Sequence, residues 1–221
     1  MKRNIGKLAL SMSFFLIYHS AQAQKKISEF TVVYNYSISS SAPNAGPPFT
    51  ATITYYVNAK KSRSEIVSSL ANFSTIHDAN NGSGVVLREV SGQKLLIRMN
   101  ADDWQDKNKR YEGLRFTNTA ETKVVAGYNC MQARALTRDS LQITVFYTKD
   151  LIPDDKEYDP VFKNLDGLPL EYEMLKGKIQ IRYRLASINM NPVPVSKFDI
   201  PKSGYREMTY EESKKLNPGG G

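Results

Sequence analysis

Val124-Val125-Ala126-Gly127-Tyr128-Asn129-Cys130 is the centre of the stretch, Thr119 to Tyr172, around which the chain is organised. β-branched residues lead into Gly127, and a second extended run leaves it through Cys130 to Leu136. Arg138-Asp139-Ser140 predicts another turn, Leu141 to Thr148 a third strand, and Gly167-Leu168-Pro169-Leu170-Glu171-Tyr172 the start of a fourth. Gly and Asn favour such turns because they tolerate backbone conformations closed to most residues. The stretch therefore predicts a β-meander interrupted by one Pro- and Asp-rich excursion.

Working outward, alternation of apolar and polar residues dominates. Val32, Tyr34, Tyr36 and Ile38 share one face of a period-two pattern, as do Phe49, Ile53, Tyr55 and Val57. Ile179, Ile181, Tyr183 and Leu185 share one face, against Gln180, Arg182 and Arg184 on the other. Ile188 and Met190 fall out of phase with Leu185, which predicts a bulge near Ala186. Asn80-Asn81-Gly82-Ser83 is hairpin chemistry. About eleven short strands separated by turns predict a mostly β fold, a single curved antiparallel sheet or half-barrel, with two or three short helices over its concave side. One helix is expected over Ala101 to Arg110, capped by Asn100 and carrying the single tryptophan, Trp104. Beyond residue 191, Pro192, Pro194 and Pro201 predict an extended tail with a short polar helix near Tyr210 to Leu216.

Lys2, Arg3 and Lys7 precede an apolar run from Leu8 to Tyr18, followed by Ala21-Gln22-Ala23. That pattern predicts a signal peptide over 1–23 and an exported product, periplasmic or at the cell surface of a Gram-negative envelope. Residues 24–217 are expected to form one domain and 218–221 a disordered end. The formal charge of +8 falls by three once the leader is removed. Lysines and arginines are dispersed, which speaks against nucleic acid as a partner and leaves transient contact with a membrane surface open.

Catalytic and metal chemistry are poorly supplied. The single cysteine, Cys130, cannot form an internal disulfide, and beyond the leader only His77 remains as a histidine. No zinc set can be assembled, no cofactor-binding motif occurs, and no enzyme activity is expected. Cys130 beside Met131 reads as a buried small hydrophobe. His77-Asp78 reads as a structural pair at a strand end. Glu171 and Glu173 point the same way from one strand, unlike two carboxylates flanking a glycosidic bond.

Four pieces together carry a resemblance: Glu121 to Cys130, Val145 to Asp150, Leu165 to Glu171, and Phe198-Asp199-Ile200-Pro201 with Gly204-Tyr205. They resemble uncharacterised exported envelope domains that include the GLPGLI family, which are similar in turn to the LolA and LolB lipoprotein carriers. Gly167-Leu168-Pro169-Leu170-Glu171 departs from the GLPGLI signature in lacking its second glycine. The resemblance implies a half-barrel whose concave face receives acyl chains. Aromatics on one face of a curved sheet usually form core, but in a half-barrel they can line a ligand site. Val32, Tyr34, Tyr36, Ile53, Tyr55, Tyr147 and Tyr183 are then the cavity candidates, with Trp104 closing the mouth. The expected ligand is a lipid or other hydrophobic molecule. The alternative is a protein- or glycan-interaction module of the envelope without a ligand cavity.

Overall fold

The computed structural model describes residues 24–216, so the expected leader over 1–23 and the C-terminal end from 217 lie outside the described residues. The strands are β1 (Lys25–Ile27), β2 (Glu29–Ser40), β3 (Phe49–Asn58), β4 (Lys61–Val67), β5 (Ala71–Asp78), β6 (Ser83–Val90) and β7 (Gln93–Met99). After helix α1 (Ala101–Asn108) come β8 (Thr117–Val125), β9 (Tyr128–Leu136), β10 (Gln142–Thr148), β11 (Leu151–Pro153), β12 (Leu168–Lys176), β13 (Ile179–Asn189), β14 (Arg206–Thr209) and helix α2 (Tyr210–Leu216). Twelve strands form one curved open sheet in the order β14-β7-β6-β5-β4-β3-β2-β13-β12-β10-β9-β8, and β1 pairs with β11 apart from it.

The eleven strands of the large sheet that show alternation are antiparallel throughout. β1, β11 and β14, of three or four residues each, are too short to show a period, and their pairings are parallel. The register of β13 on β2 slips between Leu185 and Ser187, where the phase change places a bulge. Two meanders, β2 to β7 and β8 to β13, meet along the β2–β13 pair. The chain must therefore cross the sheet from one edge to the other between β7 and β8.

It crosses the face that carries Phe30, Val32, Tyr34 and Tyr36, called here the inner face. α1 begins at a capping box in which Asn100 Oδ1 accepts from the Asp103 amide at 2.9 Å and Asp103 answers to the Asn100 amide. Trp104 of α1 stacks on His77 of β5 with ring centroids 4.2 Å apart. Gly84 of β6 makes that approach feasible, because a Cβ there would lie 2.6 Å from Trp104 Cε3. Farther along the crossing, Leu114 is buried in the main core.

The opposite, outer face is covered only in part. Leaving β13, the tail runs back toward β7, and Val193, Phe198, Ile200 and Tyr205 pack over Ile76, Val85, Leu87 and Leu96. Polar contacts fix its path: Asn58 Nδ2 donates to Val193 O at 2.8 Å and Arg63 Nη1 to Lys197 O at 2.9 Å. The prolines keep the tail from forming a long strand of its own. The outer surface of β10, β12, β13, β2 and the far end of β3 stays open to solvent.

Candidate functional site

The inner face is closed by the excursion between β11 and β12. Tyr158, Phe162 and Leu165 are buried in the same cluster as Phe30, Val32, Tyr34, Ile53 and Tyr172. Phe162 meets Tyr172 with centroids 4.7 Å apart, and Tyr158 meets Phe30 at 5.4 Å and Tyr55 at 6.2 Å, all edge to face. Tyr34, Tyr36, Tyr55 and Tyr183 come together in one aromatic cluster around Tyr34. Tyr147 is buried elsewhere in the core, its hydroxyl donating to Asn118 Oδ1 at 2.9 Å. Trp104 stands apart on α1. Val32, Tyr34, Ile53 and Tyr147 are at most 3% exposed. A ligand seated among them would have to displace Tyr158, Phe162 and Leu165.

The sequence reading passed over Asp159, the most unusual group on this face. It is buried beside Tyr34, Tyr55, Tyr172 and Tyr183, and burial pushes its carboxyl up to about 6. Its Oδ1 accepts from the Val161 amide at 3.0 Å. An aspartate in an Asp-rich loop carries no sequence mark of burial. The folded-state value lies above the unfolded one of about 3.9, so the stabilising contribution is complete below about pH 4 and lost as pH rises through 6. Asp159→Asn is expected to raise stability at pH 7 by up to about 3 kcal/mol and to remove that fall. His77, depressed by burial, loses stability in the opposite sense as pH falls. The difference between variant and wild type in urea unfolding across pH 4 to 7 therefore isolates Asp159, and an unchanged pH profile would contradict the assignment.

The other chemically suggestive groups have structural employment. Cys130 is buried, and burial pushes its thiol to about 11, which leaves it protonated and unreactive. Asp78 Oδ1 accepts from the Asn80 amide at 3.0 Å and so closes the hairpin turn. Among the described residues no group of three or more His, Cys, Asp or Glu side chains is placed to hold a metal ion.

What the fold leaves open is the outer face. A groove of about 720 Å³ runs over β13, β2, β3 and the β4–β5 turn, lined by polar Asn35, Ser37, Thr50, Thr52, Ser68, Ser69, Arg182 and Arg184 and by apolar Tyr36, Ala51 and Val67. A second groove, of about 290 Å³, adjoins it over β10 and β12, lined by Lys123, Thr144, Phe146, Glu171 and Glu173. Arg182 and Arg184 belong to both and form the wall between them. Strand alternation produces this surface: each residue facing the groove follows one that faces the core.

The charges there are not evenly matched. Arg182 Nε donates to Glu173 Oε2 at 2.9 Å, and Gln180 Nε2 donates to Glu173 Oε1 at 2.6 Å. Glu171 is paired with Lys123, whose ammonium also lies 4.0 Å from the Phe146 ring centroid. Glu171 faces Arg184 across the strand pair, but its carboxylate is taken by Lys123. Arg184, exposed, keeps a guanidinium with no ion pair or side-chain hydrogen bond among the described residues.

No protein-family model matches this chain, and no curated protein does. Solved structures share its fold. PNGF-II aligns over 86% of this chain and 34% of its own, with 16% identity and a TM-score of 0.53. The chain thus spans about a third of that protein's length, and the likeness is one of fold. More distant alignments include a putative outer membrane lipoprotein-sorting protein domain from Vibrio parahaemolyticus, over 76% of this chain and 89% of that one (7% identity, TM-score 0.36). A DUF1329 family protein from Desulfovibrio piger aligns over 78% and 90% (10% identity, TM-score 0.38).

Proposed function

We propose that the protein is a non-enzymatic binding module of the cell envelope whose outer-face grooves receive an acidic glycan. The observation that carries this reading is Arg184, an exposed cation with no ion pair or side-chain hydrogen bond among the described residues, on the wall between two outer-face grooves of mixed polar and apolar lining, opposite an inner face that Tyr158, Phe162 and Leu165 help to fill. Ser, Thr and Asn side chains supply donors and acceptors for sugar hydroxyls, and a guanidinium engages a carboxylate through two parallel hydrogen bonds. Phe146 adds one aromatic face in the adjoining groove. Export follows from the leader pattern in residues 1–23.

The test is titration of the exported chain with a uronic-acid oligosaccharide and with its neutral counterpart, by calorimetry. Binding of the acidic glycan alone is expected, weakened by added salt. Arg184→Ala should weaken it about tenfold, equivalent to about 1.4 kcal/mol, in the range of a hydrogen bond to a charged group. Equal binding of the neutral sugar, or indifference to Arg184→Ala, would refute the reading. Loss of glycan binding with retention of an envelope protein on the same face would move the assignment to a protein-interaction module.

A further inference from the structure

We infer that the outer face takes its acidic glycan as a linear polymer laid across the strands, held at its far end by a second cation, Arg115, just ahead of β8. The inference rests on the outer-face reading and extends it to the length of the ligand and to a second anchor.

A third groove, of about 580 Å³, lies over β8, β9 and β10, and Arg115, Thr117, Arg134, Leu136, Gln142 and Thr144 are among the residues that line it. Thr144 also lines the groove over β10 and β12, and Arg182 and Arg184 join that one to the groove over β13, β2 and β3. The three grooves thus adjoin in one track. Strand register gives its floor: Thr117 stands opposite Arg134, Arg134 opposite Thr144, Thr144 opposite Glu173, Glu173 opposite Arg182, and Arg182 opposite Ser37. Directly opposed residues of an antiparallel sheet project to the same face, so this row of polar side chains runs from β8 to β2 without an apolar break. Over β5 to β7 the tail covers the outer face and ends the track.

Charge along the track is uneven. Five basic side chains line it, Arg115, Lys123, Arg134, Arg182 and Arg184, against two acidic ones, Glu171 and Glu173. Lys123 answers to Glu171 and Arg182 to Glu173, while Arg134 reaches Glu121 at 3.5 Å. Arg115, like Arg184, is exposed and makes no ion pair or side-chain hydrogen bond among the described residues. Each of these two arginines shares its groove with a well-exposed aliphatic side chain, Leu136 with Arg115 and Val67 with Arg184. An aliphatic side chain there can pack against the C–H face of a sugar ring while the guanidinium takes a carboxylate.

Neighbouring strands lie about 4.8 Å apart, so the four intervals from β8 to β13 set the two anchors roughly 19 Å from each other. One carboxylate cannot answer both guanidiniums, and a disaccharide cannot span them. A chain that repeats a carboxylate along its length can. Once one end is held, the other binds at a raised effective concentration, so a ligand long enough for both anchors gains more than either contact supplies alone.

The test titrates the exported chain, by calorimetry, with a uronic-acid octasaccharide, which spans the interval, and with the corresponding disaccharide. Expected is one octasaccharide per protein, bound at least about thirtyfold more tightly than the disaccharide. Arg115→Ala should weaken the octasaccharide about tenfold and leave the disaccharide at Arg184 unchanged. Lys26→Ala removes an exposed cation of β1, outside the large sheet, and should alter neither. Arg115 is exposed and without side-chain partners, so its variant is expected to keep the wild-type urea midpoint. An octasaccharide bound no more tightly than the disaccharide, or bound equally by Arg115→Ala and wild type, overturns the track; if Arg184→Ala still weakens binding, the outer-face site survives without it. An equal loss in Lys26→Ala would mark a general polyelectrolyte effect and overturn the track as well. Indifference of both oligosaccharides to Arg184→Ala, or no binding of either, overturns the outer-face reading and the track with it.

Discussion

Gly167→Ala is expected to abolish folding or to cost at least about 4 kcal/mol, a loss reserved for a named structural conflict. A Cβ at position 167 would lie 2.0 Å from the carbonyl oxygen of Thr148 and 2.9 Å from Tyr147 Cδ2. The first of these is backbone, and Thr148 is fully buried in a strand paired on both sides, with Cys130 of β9 and Leu168 of β12. β10 cannot retreat without giving up one of those ladders, and a close-packed interior offers no slack. Soluble yield and the urea midpoint measure the effect. A variant within about 1 kcal/mol of wild type would mean that the excursion joins β12 differently from the structure described.

Phe162→Ala is expected to destabilise by about 3 to 5 kcal/mol, the usual range for truncating a buried phenylalanine. Phe162 is 3% exposed, edge-on to Tyr172 and stacked on Phe116 with centroids 5.8 Å apart. The measurement also bears on how the inner face works. If residues 156–165 are integral core, the full loss appears in equilibrium unfolding with an unchanged urea dependence. A loss below about 1 kcal/mol would show instead that the segment leaves the sheet at little cost and acts as a movable cover over the aromatic cluster. In that case the expectation of a hydrophobic ligand among Val32, Tyr34, Ile53 and Tyr55 would regain a route.

Asp159 and Phe162 show why the excursion resisted reading. Its Pro-Asp-Asp stretch and lack of period describe a surface loop, and burial of Tyr158, Phe162 and Leu165 depends on residues more than a hundred positions earlier, such as Phe30 and Tyr34. The helices were legible for the opposite reason. Asn100 with Asp103, and the acidic first turn and basic last turn of Tyr210–Leu216, are local signals that act within a few residues.

The candidate sites divide in the same way. Arg182 and Arg184 could be assigned to one strand face from the alternation Ile179, Ile181, Tyr183, and the structure keeps them there. That Arg184 lacks a partner among the described residues could not be read, since it depends on Lys123 reaching Glu171 from 48 residues away.

The sequence by itself determined the eleven alternating strands, the turns between them, the bulge after Leu185 and which side chains share a face. These follow from backbone sterics and a two-residue period, which operate within each strand. Only the tertiary structure decided which face closed, what filled it, where β1, β11 and β14 paired and that Arg184 has no counter-charge among the described residues. Those outcomes depend on contacts between residues far apart in the chain, where burial and pairing are set by the whole assembly and not by any local pattern.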